Sequence, residues 1–359
     1  MNRIHNFSAG PAILPLEVLQ KAQEEFVDYK GTGTSIIEKS HRGADYVEVD
    51  AKARERLVQL LGLGDDFEVM FLQGGASTQF LMAPYNFLSE GETADYINTG
   101  TWSTKAIKEA KRFGNVNEAF TSADSNFHRV PTDDELSLTD DAKFVHFTSN
   151  NTIFGTQFPL EPETNGVPLV CDASSDFLSR PIDISKYGII YAGAQKNLGP
   201  AGVTVVIVNK QFLATSNKSD IPTMMNYNTH AGKMFNTPPV FGVYMVGLVL
   251  EWIQEKGGLD YFKTFNEEKA GLLYNEIDAD DFYRGTAEER SRSNMNVCFR
   301  LGNEDLEAKF LTEAKAYHLD ALKGHRSVGG IRASIYNACP RESVVALVDF
   351  MKDFRSKNG

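Results

Sequence analysis

The spacing of apolar residues changes along the chain, and each change marks a different kind of element. Near the start the repeat is helical. LEVLQKAQEEFVDY (16–29) sets apolar residues between polar ones at helical intervals, and ADYVEVDAKARERLVQLLG (44–62) is an amphipathic run closed by a glycine. KGTGTSIIEKSHRG (30–43) predicts a loop between them, and residues 1–15, with GPA and then Pro15, an extended, turn-rich arm. Short apolar runs then alternate with helical ones. FEVMFLQ (67–73), TADYINT (93–99), KFVHFTS (143–149), PLVCD (168–172), YGIIYAGA (187–194) and VTVVIV (203–208) read as strands. TQFLMAPYNFL (78–88), STKAIKEAKRFG (103–114) and FGVYMVGLVLEWI (241–253) read as helices. This alternation predicts a doubly wound α/β fold with a mostly parallel sheet, the runs at 187–194 and 203–208 among its parallel strands. From about residue 260 the character shifts to an α+β module. There GGLDYFKTFNEEKAGLLYNEI, LEAKFLTEAKAY and SVVALVDFMKDFRSK are helical, while NMNVCFRL and IRASIYNA are strand-like.

Composition narrows the class without changing that picture. A length of 359 residues allows two or three domains, and 42% apolar with 23% charged residues is ordinary for a soluble globular protein. The net charge of −12 argues against nucleic acid or an anionic membrane as partner, while leaving room for a small anion held by a local basic cluster. Cys171, Cys298 and Cys339 form no CxxC pair, which predicts a reducing compartment and neither disulfide framework nor cysteine-rich zinc site. The seven histidines show no HExxH or paired-ligand spacing, so no metal is expected. The first residues lack the apolar core of a signal peptide, and the 241–253 run is too short to span a bilayer and carries Glu251. A cytoplasmic protein is expected.

The chemistry gathers at the ends of the predicted strands. Lys196 lies in the turn after 187–194, and open α/β sheets bind ligands outside the carboxyl ends of their strands. A lysine there is most often merely solvated; its neighbours alter that judgement. GGAS (74–77) enters a helix, where free N–H groups and the positive dipole end suit a phosphate, although a lone GG is more commonly a plain turn. The next turn carries Trp102, which either packs core or stacks on a planar ring. Thr152 comes after it as a side-chain donor. Asp172 ends the next strand, either as a helix cap for the adjoining segment or as a buried acid in need of a partner. Gln195 precedes Lys196. Taken together these residues suit pyridoxal 5′-phosphate, which needs a lysine for its Schiff base and an acid to keep the pyridine nitrogen protonated. A desolvated lysine beside cations also has a lowered pKa, so its free amine can form the imine and move protons.

At these residues the chain resembles the phosphoserine aminotransferase family, in the class V branch of the fold-type I pyridoxal phosphate enzymes. The resemblance runs nearly end to end. It rests on NFSAGPAILP, SHRG (40–43), TADYINTGTWS, SSDFLSRPIDISKYGIIYAGAQKNLGPAG, MFNTPP (234–239) and GHRSVGGIRASIYNA (324–338). It implies a large domain (16–258) with a mostly parallel sheet of seven strands covered by helices, and a smaller α+β domain made of 1–15 with 259–359. It implies that Lys196 carries the cofactor, Asp172 pairs with its pyridine nitrogen, Trp102 stacks on the ring and Thr152 bonds the ring oxygen. Ala76, Ser77 and Gln195 would hold the phosphate, with Asn236 and Thr237 reaching it from a second subunit, so that the working unit is a homodimer. Some family members have arginine where this chain has Ser77, which makes the phosphate cup less cationic here.

His41, Arg42, His325, Arg326 and Arg332 are basic residues concentrated in loop-like segments of an acidic protein. Each alone is most simply a solvated side chain. As a set they suit a small molecule bearing a phosphate and a carboxylate, both of which guanidinium binds through paired hydrogen bonds. The resemblance gives the α-carboxylate to Arg332, and the phosphate of phosphoserine or the side-chain carboxylate of glutamate to the other four. It implies amino transfer between L-glutamate and 3-phosphooxypyruvate, giving O-phospho-L-serine in serine biosynthesis, and use of 4-phosphooxy-L-threonine in pyridoxal phosphate synthesis. The competing readings are another class V enzyme, such as a cysteine desulfurase or an aminotransferase for neutral amino acids, and a non-catalytic protein that binds a phosphorylated ligand. A nicotinamide dehydrogenase lacks its GxGxxG after the first strand.

Overall fold

A computed structural model of the chain describes residues 3–216 and 218–359. Residues 1 and 2 of the predicted arm lie outside the described residues. Of the rest, β1 (His5–Asn6) pairs in parallel with a distant two-residue strand, Leu319–Asp320. Two helices come next, α1 (Leu16–Glu25) and α2 (Ala44–Leu61). The buried residues of α2 are Tyr46, Val49, Ala53, Leu57 and Leu61. Their spacing of three and four places them on one stripe, which is why this polar sequence forms a helix that docks.

The main sheet then assembles from β2 (Phe67–Leu72), β3 (Thr93–Asn98), β4 (Asn115–Thr121) and β5 (Val145–Thr148), with α3 (Gly75–Phe87) and α4 (Thr101–Ala110) between the first three. A short hairpin, β6 (Asn150–Asn151) and β7 (Thr156–Gln157), leaves the end of β5. β8 (Leu169–Asp172), β9 (Tyr187–Gly193) and β10 (Thr204–Asn209) complete a seven-stranded sheet in the order β2-β10-β9-β8-β5-β3-β4. β9, β8, β5, β3 and β4 run parallel. β10 is antiparallel to both β9 and β2, so the sheet is mixed and the 203–208 run is not one of the parallel strands expected. The short link from Gly193 to Thr204 explains this, since a parallel neighbour needs a crossover of a dozen residues or more. β4 is a strand that the hydrophobic pattern did not signal; NVNEAFT is polar and largely solvent-facing at the sheet edge.

Alternate residues of the strands feed two cores. On one face Val69, Phe71, Val205, Ile207, Leu169 and Cys171 pack with α2 and with α7 (Val240–Glu255), which is buried on nearly every side. On the other, Met70, Leu72, Val206, Val208, Val170 and Tyr191 pack with α3 and α4. Asp172 shares the parity of Val170, so its side chain faces the α3–α4 layer at the carboxyl end of β8. Two short helices, α5 (Lys210–Ala214) and α6 (Tyr227–His230), lie between β10 and α7.

After α8 (Gly258–Ile277) the chain builds a second, smaller sheet from β11 (Arg284–Gly285), β12 (Asn296–Arg300) and β14 (Ile331–Ser334), in that order. Helix α9 (Glu304–Ala316) and strand β13 (Leu319–Asp320), the partner of β1, lie between β12 and β14, and α10 (Arg341–Asn358) closes the chain. Phe299, Phe310, Leu347, Met351 and Phe354 form its core, and Phe7 and Ile13 of the arm pack into it. Helix α8 bridges the cores: Leu259 and Phe262 lie in the main one, Ala270, Leu273 and Ile277 in the smaller. No helix among the described residues is long and apolar enough to cross a membrane.

Candidate active site

Lys196, Asp172, Thr152 and Arg332 converge at the carboxyl end of the parallel strands. Lys196 Nζ donates to Thr152 Oγ1 at 2.6 Å, and the Thr152 carbonyl accepts from Arg332 Nη1 at 3.2 Å. Thr152 sits in the turn between β6 and β7, so this hairpin brings one residue between two cations. Asp172 is 4% exposed, and its Oδ1 accepts from Ser174 N at 3.0 Å and from Ser174 Oγ at 2.6 Å. Burial pushes the Asp172 carboxyl up, against the pull of the Ser174 hydrogen bonds and the Lys196 charge. Burial likewise pulls the Lys196 ammonium down to about 8; Asp172 opposes that shift and Arg332 adds to it. The same dry surroundings thus push the acid up and the amine down, each toward its uncharged form.

The stem of Lys196 is pressed from the arm. Gly10 has φ 148°, a conformation natural only to glycine, and a Cβ there would stand 3.4 Å from Lys196 Cγ. Beside it Ala12 N donates to the Gln195 carbonyl at 2.9 Å. Helix α3 begins beyond Gly74, whose φ is 92°. A Cβ at Gly74 would fall 2.0 Å from Thr78 Oγ1, so only glycine fits. No side chain caps this helix, which leaves the first N–H groups, those about Ala76 and Ser77, for an anion.

Trp102, in the first turn of α4, turns its ring toward Lys196, whose Nζ is 5.5 Å from the ring centroid. Trp102 Nε1 and Arg332 Nε are buried without a hydrogen-bond partner among the described residues, two unused donors in the same region. Lys105, one turn after Trp102, places its Nζ 4.4 Å from the same ring. The charges of Arg332, Arg326 and Lys105 all press the His325 imidazolium down, after burial, so these four groups share one mouth. Lys105 was not among the residues expected from the sequence; the i, i+3 spacing from Trp102 was the available signal.

Two predicted pairs do not join this cluster. His41 and Arg42 precede α2, where Arg42 Nε meets His41 Nε2 at 3.4 Å and Arg42 N donates to Ser40 Oγ at 3.3 Å. No hydrogen bond or ion pair among the described residues links them to Lys196, Asp172 or Arg332. Asn236 and Thr237 lie against the end of the edge strand β2: Gln73 Nε2 donates to the Thr237 carbonyl at 3.0 Å, and Asn236 Nδ2 to Gln73 Oε1 at 3.5 Å.

The chain was compared with known proteins. The family model described as "Aminotransferase class-V" matches residues 4–347. A phosphoserine aminotransferase of Desulfatibacillum aliphaticivorans is 56% identical over 100% of this chain and 99% of its own length. The chain belongs to the phosphoserine aminotransferase family, within the class-V aminotransferases. The solved phosphoserine aminotransferase of Bacillus circulans subsp. alkalophilus superposes with a TM-score of 0.97 at 53% identity, covering 99% of each chain. A PLP-bound phosphoserine aminotransferase from Trichomonas vaginalis superposes with a TM-score of 0.91 at 42% identity, over 98% of this chain and 100% of that one.

The residues of this class-V aminotransferase fit pyridoxal phosphate on their own chemistry. They offer an amine with a depressed pKa, a buried carboxylate whose ionised form burial disfavours, an uncapped helix start behind an obligatory glycine, and an indole facing the amine. They do not fit a desulfurase. Cys171, Cys298 and Cys339 are all buried, and burial raises each thiol, to about 12 for Cys298 and about 11 for Cys339. None is a ready nucleophile.

Proposed function

We propose that this aminotransferase is a phosphoserine transaminase, moving an amino group between L-glutamate and 3-phosphooxypyruvate to give 2-oxoglutarate and O-phospho-L-serine in serine biosynthesis, with pyridoxal 5′-phosphate as cofactor. The observation that carries this reading is the convergence of Lys196 and Asp172 under a cationic mouth of Arg332, His325, Arg326 and Lys105 in a chain of net charge −12. When bound, the cofactor supplies the electron sink for the bond broken at the substrate Cα.

The chain's residues do the rest. Lys196 Nζ, held by Thr152 Oγ1 and lowered to about 8, accepts the Cα proton as a general base and, as a general acid, would deliver it to the C4′ carbon of the cofactor. Asp172, fixed by Ser174, needs a positive partner because burial disfavours its ionised form, and a protonated ring nitrogen would be that partner. Trp102 would stack on the ring, Thr152 would bond its oxygen, and Ala76, Ser77 and Gln195 would hold the phosphate. Arg332 takes the substrate α-carboxylate. His325 and Arg326, with His41 and Arg42, take the phosphate of phosphoserine or the distal carboxylate of glutamate. 4-Phosphooxy-L-threonine carries the same two anions and falls within the same reading.

His41 and Arg42 make no hydrogen bond or ion pair to their own chain's Lys196, Asp172 or Arg332 among the described residues, which supports a homodimer in which they, with Asn236 and Thr237, serve the partner's site. The exposed apolar residues Ile37 and Val47, which flank His41 and Arg42 in the sequence, support the same arrangement. Within each subunit the reading divides the chain into a large unit, 16–258, and a smaller one, 1–15 with 259–359. The test is a half-reaction. Phosphoserine added to the pure protein without an oxo acid should convert the visible absorption of the bound cofactor, and 3-phosphooxypyruvate should restore it; Lys196→Ala should do neither. A spectrum that answers to alanine but not to phosphoserine would refute the substrate assignment.

A further inference from the structure

The residue after Lys196 is Asn197, 7% exposed, and both ends of its side-chain amide are committed. Its Nδ2 donates to the Phe177 carbonyl at 2.7 Å, and its Oδ1 accepts from Asn337 N at 2.9 Å. Phe177 closes the turn just beyond Asp172, its N–H bonding the Ala173 carbonyl at 2.8 Å. Asn337 lies just beyond β14, the strand that carries Arg332. A main-chain N–H only donates and a carbonyl only accepts, so the orientation of the Asn197 amide is fixed by its partners. The Asn337 side chain, 2% exposed, repeats the arrangement one step on: Nδ2 donates to the Leu178 carbonyl at 2.9 Å, and Oδ1 accepts from Asn266 Nδ2 at 2.8 Å. Behind it the fully buried Lys269 of α8 donates to the carbonyls of Ile335 and Tyr336 at 2.8 Å and of Cys339 at 3.1 Å, pinning the segment that Asn337 belongs to.

We propose that Asn197 is a positioning residue for the transfer, setting where Lys196 stands between Asp172 and Arg332, with Asn337 as its second member. The proposal rests on the transaminase reading. Three segments far apart in sequence each carry one reacting or binding group, and one amide ties all three roots together. A buried asparagine needing only satisfaction could find it within its own turn; this one spends both ends on the other two segments. The lysine side chain is a flexible four-carbon stem, so a fixed root is what confines its amine to a small arc. Misplacing a reacting group by about 1 Å can cost roughly 10²-fold in rate.

The test compares wild type, Asn197→Ala and Asn337→Ala as holoenzymes, by the single-turnover rate with phosphoserine and by KM. It also measures the protonation midpoint of Lys196 in the cofactor-free chain, by pulsed reductive methylation read by mass spectrometry. Expected are a rate loss of roughly 10²-fold for Asn197→Ala and about tenfold for Asn337→Ala, with KM changed less than about threefold. The Lys196 midpoint should rise from about 8 as the loosened loop admits water. Wild-type rates and midpoints in both variants would overturn the proposal, as would a rate loss matched by KM with an unmoved midpoint. If Asn197→Ala fails to fold, Asn337→Ala decides. If wild type itself ignores phosphoserine, the transaminase reading fails, and the midpoint alone still decides the placement of Lys196.

Discussion

Replacing Arg332 by glutamine perturbs two things at once, and the structure sets the size of one and the sign of the other. Arg332 is half-buried; Nη1 is engaged with the Thr152 carbonyl, while Nε is buried with no partner among the described residues. A substrate carboxylate arriving there gains two charge-assisted hydrogen bonds, each worth about 1.5–3 kcal/mol. Glutamine keeps one neutral donor worth about 1 kcal/mol, so the net loss is about 2–5 kcal/mol. At about 1.4 kcal/mol per decade that is roughly 30-fold to several thousand-fold in kcat/KM, for glutamate and phosphoserine alike, since both carry the α-carboxylate. The second effect concerns the amine. The Arg332 charge helps to hold Lys196 down, so its removal must raise the Lys196 midpoint and move the acidic limb of the rate profile, where the general base gains its proton, to higher pH. Steady-state kinetics with both donors across pH 6–10 reads both effects. A loss in kcat/KM below about threefold, or a loss confined to one donor, would refute the α-carboxylate assignment. An acidic limb that stays put or moves down would refute the electrostatic coupling of Arg332 to Lys196.

Three more outcomes concern the cofactor cup, a buried cation and the shared site. Gly74→Val forces a side chain into a left-handed backbone and onto Thr78 Oγ1; strain of about 1–3 kcal/mol should weaken cofactor retention about tenfold or more, measured by titrating the cofactor-free chain, and unchanged retention would mean the start of α3 does not hold the phosphate. Lys269 is lowered to about 8 from 10.5, so the native chain binds fewer protons than the unfolded one between those values. Stability from this group therefore rises with pH across that window by roughly 3 kcal/mol and is lost as pH falls through 8; the difference between wild type and Lys269→Met in denaturant titrations should show that slope, and parallel curves would contradict it. Mixing inactive Lys196→Ala with inactive Arg42→Ala, after dissociation and reassociation, should regenerate one intact site per mixed dimer and so restore activity. Continued inactivity in a mixture shown to contain the mixed dimer would place Arg42 in its own subunit's site.

Elements held by local interactions were legible in the sequence, and those held by distant ones were not. The strands that end in Asp172 and Gly193 were visible because both faces are buried and nearly every residue is apolar or small. The same criterion could not give direction: β10 is as apolar as β9 and runs the other way, which the length of the link between them decides rather than its own residues. β4 escaped for the opposite reason, since an edge strand with one wet face has no apolar run to show. Helix α3 was foreseen to start after the glycines, and starts within them, because Gly74 supplies a backbone turn that no propensity argument credits.

In the site the same division holds. Lys196, Asp172, Trp102 and Thr152 each stand at or just beyond the end of a strand, so the order of strands along the chain already groups them. Lys105 and the asparagines do not. Lys105 reads as one more solvated lysine on an amphipathic helix until Trp102 is seen beneath it. Asn197, Asn266 and Asn337 read as ordinary polar residues, because their partners lie 20, 71 and 140 residues away. A buried amide bridging such distances costs conformational entropy and leaves orphaned polar atoms if any one contact fails. The chain has the main core to stabilise it without them, so an arrangement this exacting is explained by what it holds in register: the amine, the acid and the arginine, each rooted in a different segment.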